Sequence, residues 1–274
     1  MIRARKRFGQ HFLEPAWQVK VVDACRVAAG DQLVEIGPGR GALTDRLVPR
    51  VARLLAFEVD RDLAGALVAR QAPGLTVHTG DVLADDVDGA LDAWLDQGPA
   101  DRRFRVVGNL PYNISSPILF MLSRWWRRHP GLTDAVVMLQ SDVADRLLAA
   151  PGTHEYGVLT ILTALSAEVT RLLDLPPGAF RPQPKVRSSL VRLRFRAPVP
   201  AVAHPVVLDR LVRTAFTQRR KTLSNGLKAI AHGDGRDLAA VFAAAGIDPA
   251  RRPETLHLVE FSALADAWHA APVL

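Results

Sequence analysis

Apolar residues in this chain fall into short continuous blocks that alternate with longer stretches in which they recur at helical spacing. Gln32-Leu33-Val34-Glu35-Ile36, Leu54-Leu55-Ala56-Phe57, Leu75-Thr76-Val77-His78, Phe104-Arg105-Val106-Val107-Gly108 and Ala135 to Gln140 read as buried strands. Helices are expected around Ala16 to Val27, from near Ala42 and from near Pro117. Strand and helix taking turns predicts an α/β fold, a doubly wound, mostly parallel sheet of the Rossmann-like kind. Ser189 to Phe195 alternates apolar and basic residues and reads as a half-exposed edge strand. Ala197-Pro198-Val199-Pro200 through Pro205 makes a natural linker. Beyond it Val207, Leu208, Leu211, Val212, Ala215 and Phe216 repeat at helical spacing, and further helices are expected over Leu238 to Ala245 and Phe261 to Ala267. Two domains follow: residues 1–197, and a small all-helical domain over 205–274.

Chemistry gathers at the ends of these strands. The first runs into Gly37-Pro38-Gly39-Arg40-Gly41, a turn in which glycines let the backbone approach a ligand closely. The next ends at Glu58, where an acid accepts hydrogen bonds from ribose hydroxyls, and the third at Gly80-Asp81, where a second carboxylate is placed to take the exocyclic amine of an adenine. The fourth ends in Asn109-Leu110-Pro111-Tyr112. Because open α/β sheets bind ligands at the carboxyl ends of their strands, Gly37, Glu58, Asp81 and Asn109 should line one crevice.

The last of these loops suits methylation of a planar amine. An adenine amino group is a poor nucleophile because its lone pair is delocalised into the ring. Acceptors at the Asn109 side-chain oxygen and the Leu110 carbonyl would hold both N–H groups and turn the lone pair toward a methyl donor. Pro111 fixes φ and removes a competing donor, and Tyr112 offers a ring for the base to stack on.

Charge adds a polymeric partner to this picture. The net charge is +7, but from Phe180 to Lys228 there are twelve Lys or Arg against one acid, Asp209, so that segment carries +11 and the rest of the chain −4. Such one-sided basicity next to a base pocket predicts a phosphate-backbone track. The single cysteine, Cys25, lies in an apolar helical pattern and reads as core; no disulfide within the chain is possible, which fits a reducing compartment. No signal peptide or membrane span is read, and a cytoplasmic protein is expected. The eight histidines show no metal-ligand spacing, so no metal site is expected. Asp85-Asp86-Val87-Asp88 reads as a solvated loop, and Trp125 and Trp126 as core and boundary.

Taken together the chain resembles the ribosomal RNA adenine dimethyltransferase family, most closely its small-subunit branch. The segments that carry the resemblance are Arg5-Lys6-Arg7-Phe8-Gly9-Gln10-His11-Phe12-Leu13, Glu35 to Thr44, Asn109 to Leu119, Phe180-Arg181-Pro182-Gln183-Pro184-Lys185-Val186, and Phe216-Thr217-Gln218-Arg219-Arg220-Lys221-Thr222-Leu223. The resemblance implies S-adenosylmethionine as cofactor, held by His11, Leu13, Gly37, Gly39, Glu58, Asp81 and Asn109. It implies that Phe180 forms the second face of a base pocket opposite Tyr112, and that Arg5, Lys6, Arg7, Lys185, Arg187, Arg219, Arg220 and Lys221 contact ribosomal RNA in an assembling small subunit, the protein acting as a monomer. The chain departs from the family pattern at Arg187, Ser141 and Val158. Three other readings stay open at this point. They are the related large-subunit enzyme of macrolide resistance, a non-catalytic RNA- or DNA-binding assembly or transcription factor, and a nicotinamide-dependent oxidoreductase, the last disfavoured by the Gly-X-Gly-X-Gly spacing.

Overall fold

In the computed structural model, which describes residues 11–84, 86–199 and 201–273, the chain divides into two compact units. One comprises residues up to Ala144 together with Glu168–Arg196; the other comprises Asp145–Ala167 together with the chain from Ala197 onward. The second unit therefore draws on an excursion from the middle of the chain as well as on its tail.

The first unit is built on a seven-stranded sheet. Its parallel part comprises β2 (Gln32–Ile36), β3 (Arg53–Glu58), β4 (Leu75–Thr79), β5 (Phe104–Asn109) and β6 (Leu132–Gln140). With β7 (Ala167–Leu175) and β9 (Ser188–Phe195) the spatial order is β4-β3-β2-β5-β6-β9-β7. β2 is buried along its whole length, as expected of a parallel strand with helices on both faces. Those helices are α1 (Pro15–Cys25), α2 (Thr44–Leu47), α3 (Arg61–Val68), α4 (Val87–Leu95) and α5 (Ser115–Arg128), while α6 (Ser141–Leu148) leaves the sheet after β6. Proline begins α1, in the first turn where its missing N–H is not needed. Asp60 caps α3 by accepting from the Asp62 N–H. The core joins Val21, Val22 and Cys25 of α1 to Leu33, Leu54, Val107, Val136 and Met138 of the sheet. Burial pushes the Cys25 thiol up to about 12, which leaves it inert as a nucleophile. No helix among the described residues is long and apolar enough to cross a membrane.

Two expectations change. Ser189 to Phe195 does not form an edge: β9 pairs antiparallel with β6 over seven residues and has β7 on its other side. The alternating arginines suggested a wet face, but Arg192 bonds the Ala24 and Cys25 carbonyls and pairs with Asp134 at 3.2 Å, so one of these charges is satisfied inside the unit. The helix expected from Ala42 shrinks to the single turn of α2 and a 3-10 turn, Val48–Arg50. Pro49 supplies no N–H to extend it.

The second unit is helical: α7 (Val158–Ala164), α8 (Pro205–Thr217), α9 (Leu223–Gly233), α10 (Leu238–Ala245) and α11 (Leu258–Ala270). Thr222 caps α9, Asp237 caps α10, and Gly246 at φ 66° ends it. Leu208, Leu211, Leu227, Phe242, Phe261 and Trp268 fill its interior. Tyr156, in the inserted segment, is tied to the tail by its hydroxyl, which donates to the Leu256 carbonyl at 2.8 Å.

Candidate active site

The strand ends of the first unit are drawn into one rim. Main-chain bonds carry the pairing past the last residue of each strand: Gly37 N–H reaches the Phe57 carbonyl at 3.0 Å, Gly80 N–H the Glu58 carbonyl at 2.9 Å, and Leu110 N–H the Met138 carbonyl at 3.2 Å. The order of strands reverses between β2 and β5, so the loops above them part, and a cleft opens where such sheets bind ligands. Gly37, Gly39, Glu58, Asp81, Asn109 and Tyr112 all line it, and it measures about 920 Å3 out to its open mouth.

Each wall has a local cause. Gly37, Gly39 and Gly41 hold φ of 69°, 58° and 82°, left-handed values that side-chain-bearing residues adopt only with strain. The Gly39 N–H donates to Glu58 Oε2 at 2.8 Å and the Asp60 N–H to Oε1 at 3.0 Å. These bonds set the plane of the carboxylate, and each oxygen keeps lone-pair capacity for a further donor. Glu58 is 4% exposed; burial pushes its carboxyl up, and the two N–H bonds pull it part of the way back. Asp81 lies at the exposed lip, with Oδ1 held by the Leu83 N–H at 2.9 Å.

His11, Phe12 and Leu13 also line the cleft. They are held there by a two-residue strand, β1 (Phe12–Leu13), paired antiparallel with β8 (Phe180–Arg181). The His11 carbonyl accepts from Asn109 Nδ2 at 2.9 Å, which commits the amide nitrogen and leaves the oxygen as the amide's acceptor. The His11 ring stacks on Tyr112 with centroids 5.3 Å apart, and its Nδ1 donates to the Pro182 carbonyl at 2.8 Å. Tyr112 is half-buried, and its hydroxyl meets Ser188 Oγ at 2.6 Å. Leu110 is buried, anchored through the N–H bond to Met138.

Phe12 and Glu35 line the cleft without having been singled out as site residues. The Phe12 ring lies 3.3 Å from where a Cβ on Gly39 would sit and carries the Arg40 guanidinium 4.1 Å over its face. Nothing in its own spacing marks it. Glu35 did carry a signal, a carboxylate inside an otherwise apolar strand. It is fully buried, receives the Thr44 hydroxyl at 2.7 Å, and burial pushes its carboxyl up to about 7.

Two other expected site residues are engaged within their own units. Phe180 is 0% exposed, sits in the core beside Leu13, Leu175 and Ala179, and is not part of the cleft wall. It pairs with Leu13 across β1 and β8. Arg219 is partly buried in the second unit, where its guanidinium bonds the His154 carbonyl at 2.6 Å, the Thr153 carbonyl at 3.0 Å and Glu254 at 3.1 Å. That fork is committed within its own unit, whereas Arg220 and Lys221 beside it are exposed. Lys185 and Arg187 are exposed on the loop between β8 and β9. Of the residues departing from the family pattern, Arg187 and Ser141 meet directly: the Ser141 N–H donates to the Arg187 carbonyl at 3.0 Å. Val158 is the first residue of α7. Arg5, Lys6 and Arg7 lie outside the described residues.

Residues 1–263 match the model of a family described as ribosomal RNA adenine dimethylase. The chain is 45% identical over 268 residues to a ribosomal RNA small subunit methyltransferase A of Aromatoleum aromaticum, covering 96% of this chain and 93% of that one. It is 44% identical over 269 residues to the protein of the same name from Syntrophotalea carbinolica, covering 96% of each. Among solved structures it resembles a dimethyladenosine transferase from Plasmodium falciparum, with a TM-score of 0.73, 25% identity, and coverage of 93% of this chain and 96% of that one. The 23S rRNA methyltransferase ErmE shares the fold, with a TM-score of 0.63 at 23% identity, over 93% of this chain and 98% of that one.

Proposed function

The chain belongs to the ribosomal RNA adenine dimethylase family and is a small-subunit ribosomal RNA adenine dimethyltransferase; on that premise we propose how its cleft performs the reaction. The substrate is a pair of adjacent adenines near the 3′ end of the small-subunit RNA, each methylated twice on its exocyclic amine. When bound, S-adenosylmethionine supplies an electrophilic methyl group on a sulfonium. The residues present fit that group: Glu58, with both oxygens braced, receives ribose hydroxyls, Asp81 receives the nucleoside amine, and the left-handed glycines of the turn leave room for the chain of the amino acid.

The observation that carries this reading is the Asn109 amide, whose nitrogen is held by the His11 carbonyl at the same rim as Glu58. Its oxygen and the Leu110 carbonyl accept the two N–H groups of the incoming amine in the first transfer, and one of them accepts the single remaining N–H in the second, so the nitrogen lone pair faces the methyl donor. The adenine leaves its stack at a cost of a few kcal/mol, and stacking on Tyr112 returns about 1 to 3 kcal/mol of this. No strong general base is required, because the ammonium formed by transfer is acidic and releases its proton to water. Rate enhancement then comes from positioning and from excluding water around the sulfonium.

The reading includes a monomeric enzyme acting in the cytoplasm on an assembling small subunit. Transfer of labelled methyl groups to unmethylated small and large subunits, assayed side by side, tests it. Labelling of adenines confined to the small subunit is expected. Labelling of the large subunit would favour the macrolide-resistance activity, and RNA binding without transfer to either would favour an assembly factor.

RNA binding draws on exposed cations in both units. Arg220→Glu with Lys221→Glu should flatten the dependence of log affinity on log salt by roughly one to two units of slope while cofactor affinity is unchanged. Arg219 is left intact in that variant because its bonds hold the helical unit together. An unaltered slope would remove Arg220 and Lys221 from the phosphate track.

A further inference from the structure

We propose that Ser188 is a positioning residue, acting through the phenol oxygen of Tyr112 to set the plane of the ring against which the acceptor adenine stacks. The proposal rests on the reading of Tyr112 as the base platform. The contact is short, 2.6 Å between oxygens, and joins residues 76 apart in sequence. Ser188 is 0% exposed, so its hydroxyl moves only if the strand moves. It opens β9 and is paired in register with Gln140 at the end of β6, on the side of the sheet edge where the Asn109 loop lies.

The neighbours of Ser188 fix it on both sides. The Ser189 hydroxyl donates to Asp174 Oδ1 at 2.9 Å and meets the Ser141 hydroxyl at 3.1 Å, while the Ser141 N–H holds the Arg187 carbonyl at 3.0 Å. A row of small hydroxyls therefore stands at the end of two paired strands, and the one on Ser188 meets the phenol of Tyr112, whose residue lines the cleft. A phenol whose polar end is buried needs a partner there, and supplying it from the sheet ties the ring to a strand paired with β6. With one face of Tyr112 covered by the His11 ring and its tip pinned, the ring is left one orientation. Stacking and methyl transfer both depend on that orientation, since a base shifted by a fraction of an ångström presents its amine at the wrong angle to the donor.

The test is a double-mutant cycle on single-turnover transfer to unmethylated small subunits, with S-adenosylmethionine affinity and melting temperature measured on the same preparations. Ser188→Ala and Tyr112→Phe should each slow transfer about tenfold with cofactor affinity within about twofold, and the double variant should be no slower than either alone. Ser188→Thr, which keeps the hydroxyl, should recover most of the rate lost in Ser188→Ala. Effects that multiply in the double variant, or a Tyr112→Phe enzyme with wild-type turnover, overturn the proposal. If Ser188→Ala does not fold, Tyr112→Phe alone decides it, because the ring is half-buried and the change removes one oxygen. Tyr112→Ala separates the proposal from the reading beneath it. If Tyr112→Ala transfers as wild type, Tyr112 is no platform and both fall; if it is inactive while Tyr112→Phe is not, the platform stands and the positioning role falls.

Discussion

Replacing Asn109 by alanine should lower methyl transfer to small subunits by about a hundredfold or more, equivalent to about 2.7 kcal/mol of transition-state stabilisation. Affinity for the RNA should stay within a few-fold. The asymmetry follows from where the groups lie. The Asn109 oxygen acts on the amine only as its lone pair turns toward the donor, whereas the exposed cations Lys185, Arg187, Arg220 and Lys221 lie away from it in sequence and are untouched. Cofactor affinity should fall modestly, because the lost amide also releases the His11 carbonyl at the cleft wall. Single-turnover transfer of labelled methyl, run beside an RNA titration of the same preparation, gives both numbers. Full transfer by Asn109→Ala would remove the amine-holding role.

The second large effect should fall on cofactor binding instead. Glu58→Ala should weaken S-adenosylmethionine about a hundredfold, since hydrogen bonds to a charged acceptor contribute about 1.5 to 3 kcal/mol. Two losses combine: the ribose hydroxyls lose their acceptor, and the Gly39 N–H loses the oxygen that holds the glycine turn in its left-handed path. Glu58→Gln keeps one acceptor and should lose about tenfold. Turnover at saturating cofactor should change far less than affinity, because the carboxylate lies away from the transferred group. Calorimetric titration of S-adenosylmethionine checks this, and an unchanged dissociation constant for Glu58→Ala would take the carboxylate out of the site.

The parts of the fold legible in the sequence were those written locally. Leu33, Val34 and Ile36 make a short apolar block that reads as an interior strand despite Gln32 and Glu35, and the chemistry stands at or just past the end of each strand, which is why Gly37, Glu58, Asp81 and Asn109 fall on one rim. What was illegible depended on partners distant in sequence. Arg192 looked solvated because Asp134, which neutralises it, lies on another strand. Arg219 looked available for phosphate because the Thr153 and His154 carbonyls that hold it belong to a segment inserted from mid-chain. Phe180 was expected at the base pocket only by resemblance, and its burial beside Leu13, Leu175 and Ala179 depends on packing that no local pattern records. Phe12 carries no mark of its own, since its place follows from a two-residue strand too short to have a period. The helix α9 carries Ser224, Asn225 and Gly226 in its first turn, residues of low helix propensity, so it forms where local sequence does not favour it.

His11 touches the Asn109 amide proposed to receive the amine, the Tyr112 ring proposed to receive the base, and the Pro182 carbonyl of the loop carrying Lys185 and Arg187. A ligand that shifts it on one side alters what a ligand on the other side meets. Such linkage is symmetric: the factor by which cofactor changes the affinity for RNA is the factor by which RNA changes the affinity for cofactor. A reaction that adds two methyl groups to one base must exchange spent cofactor for fresh between them. With His11 joining the two proposed sites, the affinity for the base and the affinity for the cofactor become linked through one residue and not set at either binding surface alone.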